Sequence, residues 1–171
     1  MASSDVGGGT VVIAYDGSPA SRQAIVDSAK LVGSCRILVV TVWEEGLAYT
    51  APILAPTDGL GVRPMVDPET ARELDSAVHE HANRVSTEGA TLAQSLGLEA
   101  EPLALPDEGS AARTILRLAR ERDALAIVVG SRGLGGIRAR IEGSTSKDLL
   151  KHSPCPVLVV HEVEDKDDAA E

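Results

Sequence analysis

A chain of 171 residues, 43% of them hydrophobic and 25% charged, fits one domain with an ordinary core and no covalent staples. Its formal charge of −10 argues against broad nucleic-acid binding, which needs Lys and Arg to neutralise phosphates, and one Trp, two Tyr and no Phe remove the stacking platforms of single-strand binders. The two distant cysteines, Cys35 and Cys155, suit neither a metal site nor a disulfide framework, and no apolar run nears the roughly 20 residues of a membrane span, so a soluble protein of the reducing cytoplasm is expected.

Residues 1–9, "MASSDVGGG", read as a flexible N-terminus. The first apolar run, "TVVIAY" (10–15), is a strand, and "DGSP" follows it. There Ser18 can cap a helix whose first position is Pro19, whose apolar face is Ile25, Ala29 and Val32, and whose stop is Gly33. "RILVVTVW" (36–43) is the second strand. Residues 44–66 are rich in Pro and Gly yet carry Leu47, Tyr49, Ile53 and Leu54. A loop of that length is expected to be a lid, a contact surface or disordered.

Asp67 and Pro68 open the longest helix, with the stripe Ala71, Leu74, Val78, Ala82, Val85, Leu92 and Leu96 ending at Gly97. "LEAEPLAL" (98–105) is a weaker strand whose Pro102 argues for a sheet edge. Ser110 caps a third helix bearing Ile115, Leu116 and Ala119. "ALAIVVG" (124–130) is the fourth strand, "STSKDLLKH" after Gly143 the fourth helix, and "PVLVVH" (156–161) the last strand. Residues 163–171 form an acidic tail expected to be solvated.

The strands are continuous apolar runs rather than alternating ones, as in parallel sheets buried on both faces. Strands alternating with helices then call for right-handed crossovers and an α/β, three-layer, doubly wound sandwich, with residues 10–162 as a single domain.

The span "VVGSRGLGGIRARIEGSTSKDLLKH" (128–152) holds five glycines and five basic residues against Glu142 and Asp148. It is a local positive site in an acidic protein. Gly130 closes the fourth strand, and the loop feeds into a helix near Ser144. Glycines let several amides turn inward, and a helix N-terminus adds unpaired N–H groups with partial positive charge. Phosphate is the natural occupant. Ser144, Thr145 and Ser146 offer hydroxyls, although Thr145 with Asp148 also fits a capping box, and the glycines would equally serve a flexible linker.

The P-loop pattern G-x-x-x-x-G-K-[ST] is absent. The dinucleotide pattern G-x-G-x-x-G fails too, because Arg138 stands at the third glycine position after Gly133 and Gly135. The other half of a site should come from the first two strands. The Asp16 carboxylate can accept from sugar hydroxyls or an amine, and the Val42 backbone can pair with the edge of a base. Turn chemistry alone would also account for Asp16.

Gly130-x2-Gly133-x9-Gly143-Ser144 matches the G-x2-G-x9-G-[ST] nucleotide motif of universal stress proteins. "VVIAYDGSPAS" resembles that family's first strand and turn, and "HSPCPVLVV" its last strand, so the likeness covers nearly the whole chain. It implies a five-stranded parallel sheet in the order 3-2-1-4-5, of the adenine nucleotide alpha hydrolase-like type, with ATP at the ends of strands one and four and a homodimer. By matching position, Asp16 and Val42 would hold the adenosine part. Gly130, Gly133, Gly143, Ser144 and Thr145 would hold the phosphates, with Val129 beside the loop. Family members divide over ATP and over cyclic nucleotides, and here the loop is intact. The long segment 44–66 is a departure from the family pattern.

The homodimer has a physical counterpart: an edge strand "PVLVVH" would leave backbone groups unpaired, with Pro154 and Pro156 directing contact to Val157 through His161. Hydrolysis needs a base, charge stabilisation and usually Mg²⁺. Only the phosphate cradle is assignable, with Glu142 as the one carboxylate beside the loop able to hold Mg²⁺ or a water, so slow turnover at most is expected. His79 and His81 read as surface residues and Cys155 as a packed thiol. Three readings follow: an ATP-binding regulator, a slow ATPase or self-phosphorylating enzyme using Ser144 or Thr145, and a nucleotide-free interaction module.

Overall fold

Runs rich in Val and Ile become strands because branched side chains pack well on a pleated, buried surface. A computed structural model describes residues 9–45, 67–131 and 144–161 of the chain. Its strands are β1 (Thr10–Ala14), β2 (Arg36–Trp43), β3 (Glu99–Pro106), β4 (Ala126–Gly130) and β5 (Val157–Val160). All pairs are parallel, in the order β3-β2-β1-β4-β5, as the family resemblance implies. The described helices are α1 (Pro19–Leu31), α2 (Pro68–Ser95), α3 (Ala111–Glu121) and α4 (Ser144–His152).

The helix starts follow from their caps. Ser18 Oγ accepts from the Ser21 N–H at 3.2 Å, Asp67 Oδ1 from the Glu69 and Thr70 N–H groups at 3.0 Å each, and Ser110 Oγ from the Arg113 N–H at 3.2 Å. Each satisfies donors that the first helical turn would otherwise leave unpaired.

The sheet divides the interior in two. On one face Val11, Ile13, Tyr15, Ile37 and Val39 pack with Ala24 and Ile25 of α1 and Ala90 and Ala93 of α2. On the other, Val12, Leu38, Val40, Ile127 and Val129 pack with Ile115, Leu116 and Ala119 of α3 and Leu149 of α4. Ile13, Ile25, Ile37, Ile127 and Leu149 are fully buried, each side chain contributing roughly 1.5–3 kcal/mol of transfer free energy.

Two details qualify the sequence reading. Pro102 does lie on an edge strand, paired with Val39 on its one neighbour. The apolar stripe of α2 is only partly buried, however: Leu74 and Leu96 are 47% and 42% exposed, and the buried face is Ala71, Ala82, Ser86, Gly89, Ala90 and Ala93. A Cβ on Gly89 would stand 2.7 Å from the Tyr15 ring and 2.8 Å from Val39. Small residues let α2 lie close on the sheet, Leu92 packs partly against the core, and Leu74 and the capping Leu96 are left at the flanks.

Candidate functional site

Winding reverses between β1 and β4, which are neighbours in the sheet, and ligands of open α/β sheets collect beyond the carboxyl ends of the strands at such a point. Ala14 pairs with Val129 on one side and Val40 on the other, so the exits of β1, β2 and β4 stand together.

The β1 exit is tightly tied. The Tyr15 N–H extends the ladder to the Val40 carbonyl at 2.8 Å, and Thr41 Oγ1 donates to the Tyr15 carbonyl at 2.9 Å. Asp16 Oδ1 accepts from the Ser18 N–H at 3.0 Å, and Gly17 takes a left-handed φ of +79° that glycine adopts without strain. Ser21 Oγ donates to the Ser18 carbonyl at 2.9 Å.

The Tyr15 ring is 2% exposed, and its hydroxyl donates at 3.2 Å to Glu88 Oε1 of α2, which Arg22 of α1 also pairs with. Burial first, and the Glu88 carboxylate after it, push the hydroxyl pKa up to about 12 against the opposing pull of Arg22.

At the β4 exit Val129 is buried, and Gly130 is fixed by contact rather than by torsion. A Cβ there would sit 2.9 Å from the Ala20 carbonyl carbon and 2.9 Å from the Ser21 nitrogen. The first turn of α1 therefore lies backbone to backbone against the end of β4. Beyond it, the Ser131 N–H donates to the Val160 carbonyl at 2.7 Å.

At the β2 exit Val42 is half-buried, packed toward the α3 and α4 side. Trp43 follows and stacks on His79 of α2, with ring centroids 5.2 Å apart and planes at 29°. The Trp43 carbonyl accepts from the Asp107 N–H at 2.7 Å. Trp43 Nε1 and Asp107 Oδ1 are both buried and without a partner.

Asp16, Val42, Val129 and Gly130 are thus brought to adjacent strand ends. Ser144 and Thr145 open α4, with Thr145 half-buried. Gly133, Gly143 and Glu142 lie outside the described residues, as do residues 1–8, 46–66 and 162–171. The sequence reading missed the Tyr15–Glu88–Arg22 cluster and the Trp43–His79 stack. His79 is exposed, as a surface residue should be, yet its ring covers an indole. The available signal was the only Trp of the chain, closing the second apolar run one residue past Val42.

Away from these ends, an open groove of about 320 Å³ runs between α1 and the edge strand β5, lined by Asp27, Lys30, Leu31 and Leu158 to His161. Leu31 is 69% exposed and Leu158 37%. Lys30 pairs with Asp27 at 2.9 Å, and its hydrogen bond, then that of Gln23, holds the Asp27 carboxyl below its ordinary pKa. Cys155 packs against the α3 and α4 core. Among the described residues no helix is long and apolar enough to cross a membrane, and no group of three or more His, Cys, Asp and Glu is arranged to hold a metal ion.

Similarity to known proteins was found at three levels. The model of the universal stress protein family matches residues 9–161. A universal stress protein of Thermus aquaticus is 33% identical over 153 residues, covering 88% of this chain and 97% of that protein. Among solved structures, a universal stress protein family protein of Arabidopsis thaliana with AMP bound is 18% identical, with a TM-score of 0.56 over 94% of this chain and 96% of that one. A universal stress protein in complex with cAMP is 21% identical, with a TM-score of 0.57 over 91% and 98%. With the five-stranded order, the strand-end geometry and a family match across nearly its whole length, the chain belongs to the universal stress protein family.

Proposed function

We propose that this protein is an adenine-nucleotide-binding regulator of the cytoplasm that takes ATP at the exits of β1, β2 and β4 and acts as a homodimer. The observation that carries the reading is the meeting of these three strand ends at the point where winding reverses, with the G-x2-G-x9-G-[ST] spacing running from Gly130 to Ser144. Structural neighbours hold AMP and cAMP, which supports an adenine nucleotide as the ligand class.

In this reading Asp16 and the Val42 backbone hold the adenosine part. Gly130, Gly133, Gly143, Ser144 and Thr145 hold the phosphates through backbone amides, hydroxyls and the start of α4, with Val129 as the buried wall beside them. Mg²⁺ accompanying the ATP would be held by phosphate oxygens, with Glu142 as the carboxylate beside the loop. Among the described residues β5 pairs only with β4, and its outer edge, flanked by the exposed Leu31 and Leu158, is the surface for a second copy. Sedimentation that shows a monomer at micromolar concentrations removes the dimer from this reading.

Calorimetric titration of wild type and Gly143→Asp with ATP and with cAMP tests the site. Wild type is expected to bind ATP, and the variant, which sets a carboxylate against the phosphates, to bind about a hundredfold more weakly or worse with unchanged circular dichroism. Wild type binding neither nucleotide overturns the reading, and preference for cAMP over ATP reassigns the ligand.

A further inference from the structure

Buried polar side-chain atoms without partners are few in native folds, and each calls for an explanation. Among the described residues two such atoms stand out, Trp43 Nε1 and Asp107 Oδ1. They share one end of the sheet: Trp43 is the last residue of β2, Asp107 directly follows β3, and a backbone hydrogen bond of 2.7 Å joins the two residues. Orphans left by imperfect packing would have no reason to gather where open α/β sheets bind ligands.

The indole is also held in place. β2 fixes its backbone, and the His79 imidazole from α2 covers its ring at 5.2 Å, the spacing of a stacked pair. An indole nitrogen donates and cannot accept, so its missing partner is an acceptor. Val42, where the nucleotide reading sets the base, is the residue just before it. A purine carries unprotonated ring nitrogens, which are acceptors, whereas that reading directs ribose and phosphates toward β1 and β4.

Resting on the nucleotide reading of these strand ends, we propose that Trp43 is a base-selecting residue, its Nε1–H donating to a ring nitrogen of the bound purine while His79 holds the indole. The donor is unsatisfied without ligand and satisfied with it. Base-bearing ligands are thereby favoured over phosphate or pyrophosphate alone.

Calorimetry on the full chain with AMP, with pyrophosphate, and with the 1-, 3- and 7-deaza analogues of AMP tests this. Trp43→Phe keeps an aromatic ring on His79 and removes the N–H. It is expected to weaken AMP about five- to tenfold and to leave pyrophosphate unchanged. One deaza analogue should lose a similar factor on wild type and nothing further on Trp43→Phe. His79→Ala, an exposed change on a helix, should weaken AMP by a smaller factor and shift the fluorescence of the lone Trp.

Equal AMP affinity in wild type and Trp43→Phe overturns the proposal, as does an equal loss for AMP and pyrophosphate. Should Trp43→Phe fail to fold, the three analogues on wild type decide, and no discrimination among them overturns it. Wild type binding none of ATP, AMP and pyrophosphate defeats the underlying nucleotide reading, and this inference with it, whereas binding of ATP without AMP moves the same wild-type and Trp43→Phe comparison to ATP and its deaza analogues.

Discussion

The exits of β1 and β2 lie side by side in the sheet and are finished differently. At β1 the Tyr15, Ser18 and Ser21 hydroxyls are all engaged, the turn is bonded to itself, and Thr41 of β2 donates to the Tyr15 carbonyl, so that the whole is bound to α1, α2 and β2. At β2 and its neighbour β3 an indole N–H and a carboxylate oxygen are buried with nothing to bond. The β1 exit is therefore bonded to its surroundings without any ligand, whereas at the β2 exit the backbone is paired but the Trp43 Nε1 donor and the Asp107 Oδ1 acceptor are left over. One end of a sheet thus combines a fully bonded frame with a pair of buried groups left unbonded, which the nucleotide reading makes a pocket wall.

Crowding the frame should have the largest effect. Gly130→Val places a branched side chain against the Ala20 and Ser21 backbone, and a loss of about 3 kcal/mol in urea denaturation is expected. Gly33→Ala, with nothing within 4 Å of the added carbon, serves as the uncrowded control.

Next is the Tyr15 tether, whose folded-state pKa of about 12 lies above the unfolded value near 10. A raised pKa contributes stability that is fully present below pH 10 and is lost as pH rises toward 12. Wild type should therefore lose on the order of 2 kcal/mol relative to Tyr15→Phe across that window, measured by denaturation at stepped pH. Parallel curves for the two proteins would show that the tether does not constrain the exit.

The smallest effects discriminate most sharply. Ser18→Ala removes a cap that is in use and should cost about 1 kcal/mol. Asp107→Ala removes a side chain whose buried oxygen has no partner, and the ligand-free protein should change by less than about 0.5 kcal/mol or gain. Equal losses in the two variants would erase the distinction between frame and pocket wall.

What could be read in the sequence was what depends on neighbours along the chain. Ser18, Asp67 and Ser110 announce helix starts because a cap and the amides it serves lie within three residues. The five strands were legible as unbroken Val and Ile runs, and Pro102 marked an edge because an interior strand has no place for a missing N–H. Leu74 and Leu96 misled because helical spacing reports which residues share a face, not how closely that face approaches its partner. Gly89 decides that, and only across 50 residues from Val39. Gly130 reads the same whether its role is a turn, a phosphate cradle or close packing, and the backbone contact with α1 is invisible in a string of letters. The Trp43–His79 stack and the Asp107 orphan are tertiary products of the same kind, which is why the sequence offered candidates at glycines and a carboxylate and none at these residues.

The division of the interior by the sheet has a mechanical consequence. Tyr15 belongs to the layer under α1 and α2, while Val42 and Val129 belong to the layer under α3 and α4, and among the described residues the two layers share no core side chain. The strand exits are where representatives of both come within reach of one small molecule. On the nucleotide reading, a ligand lodged there would act as a rivet through a three-ply board, so occupancy should make the two layers melt as one, and its departure should let either loosen alone.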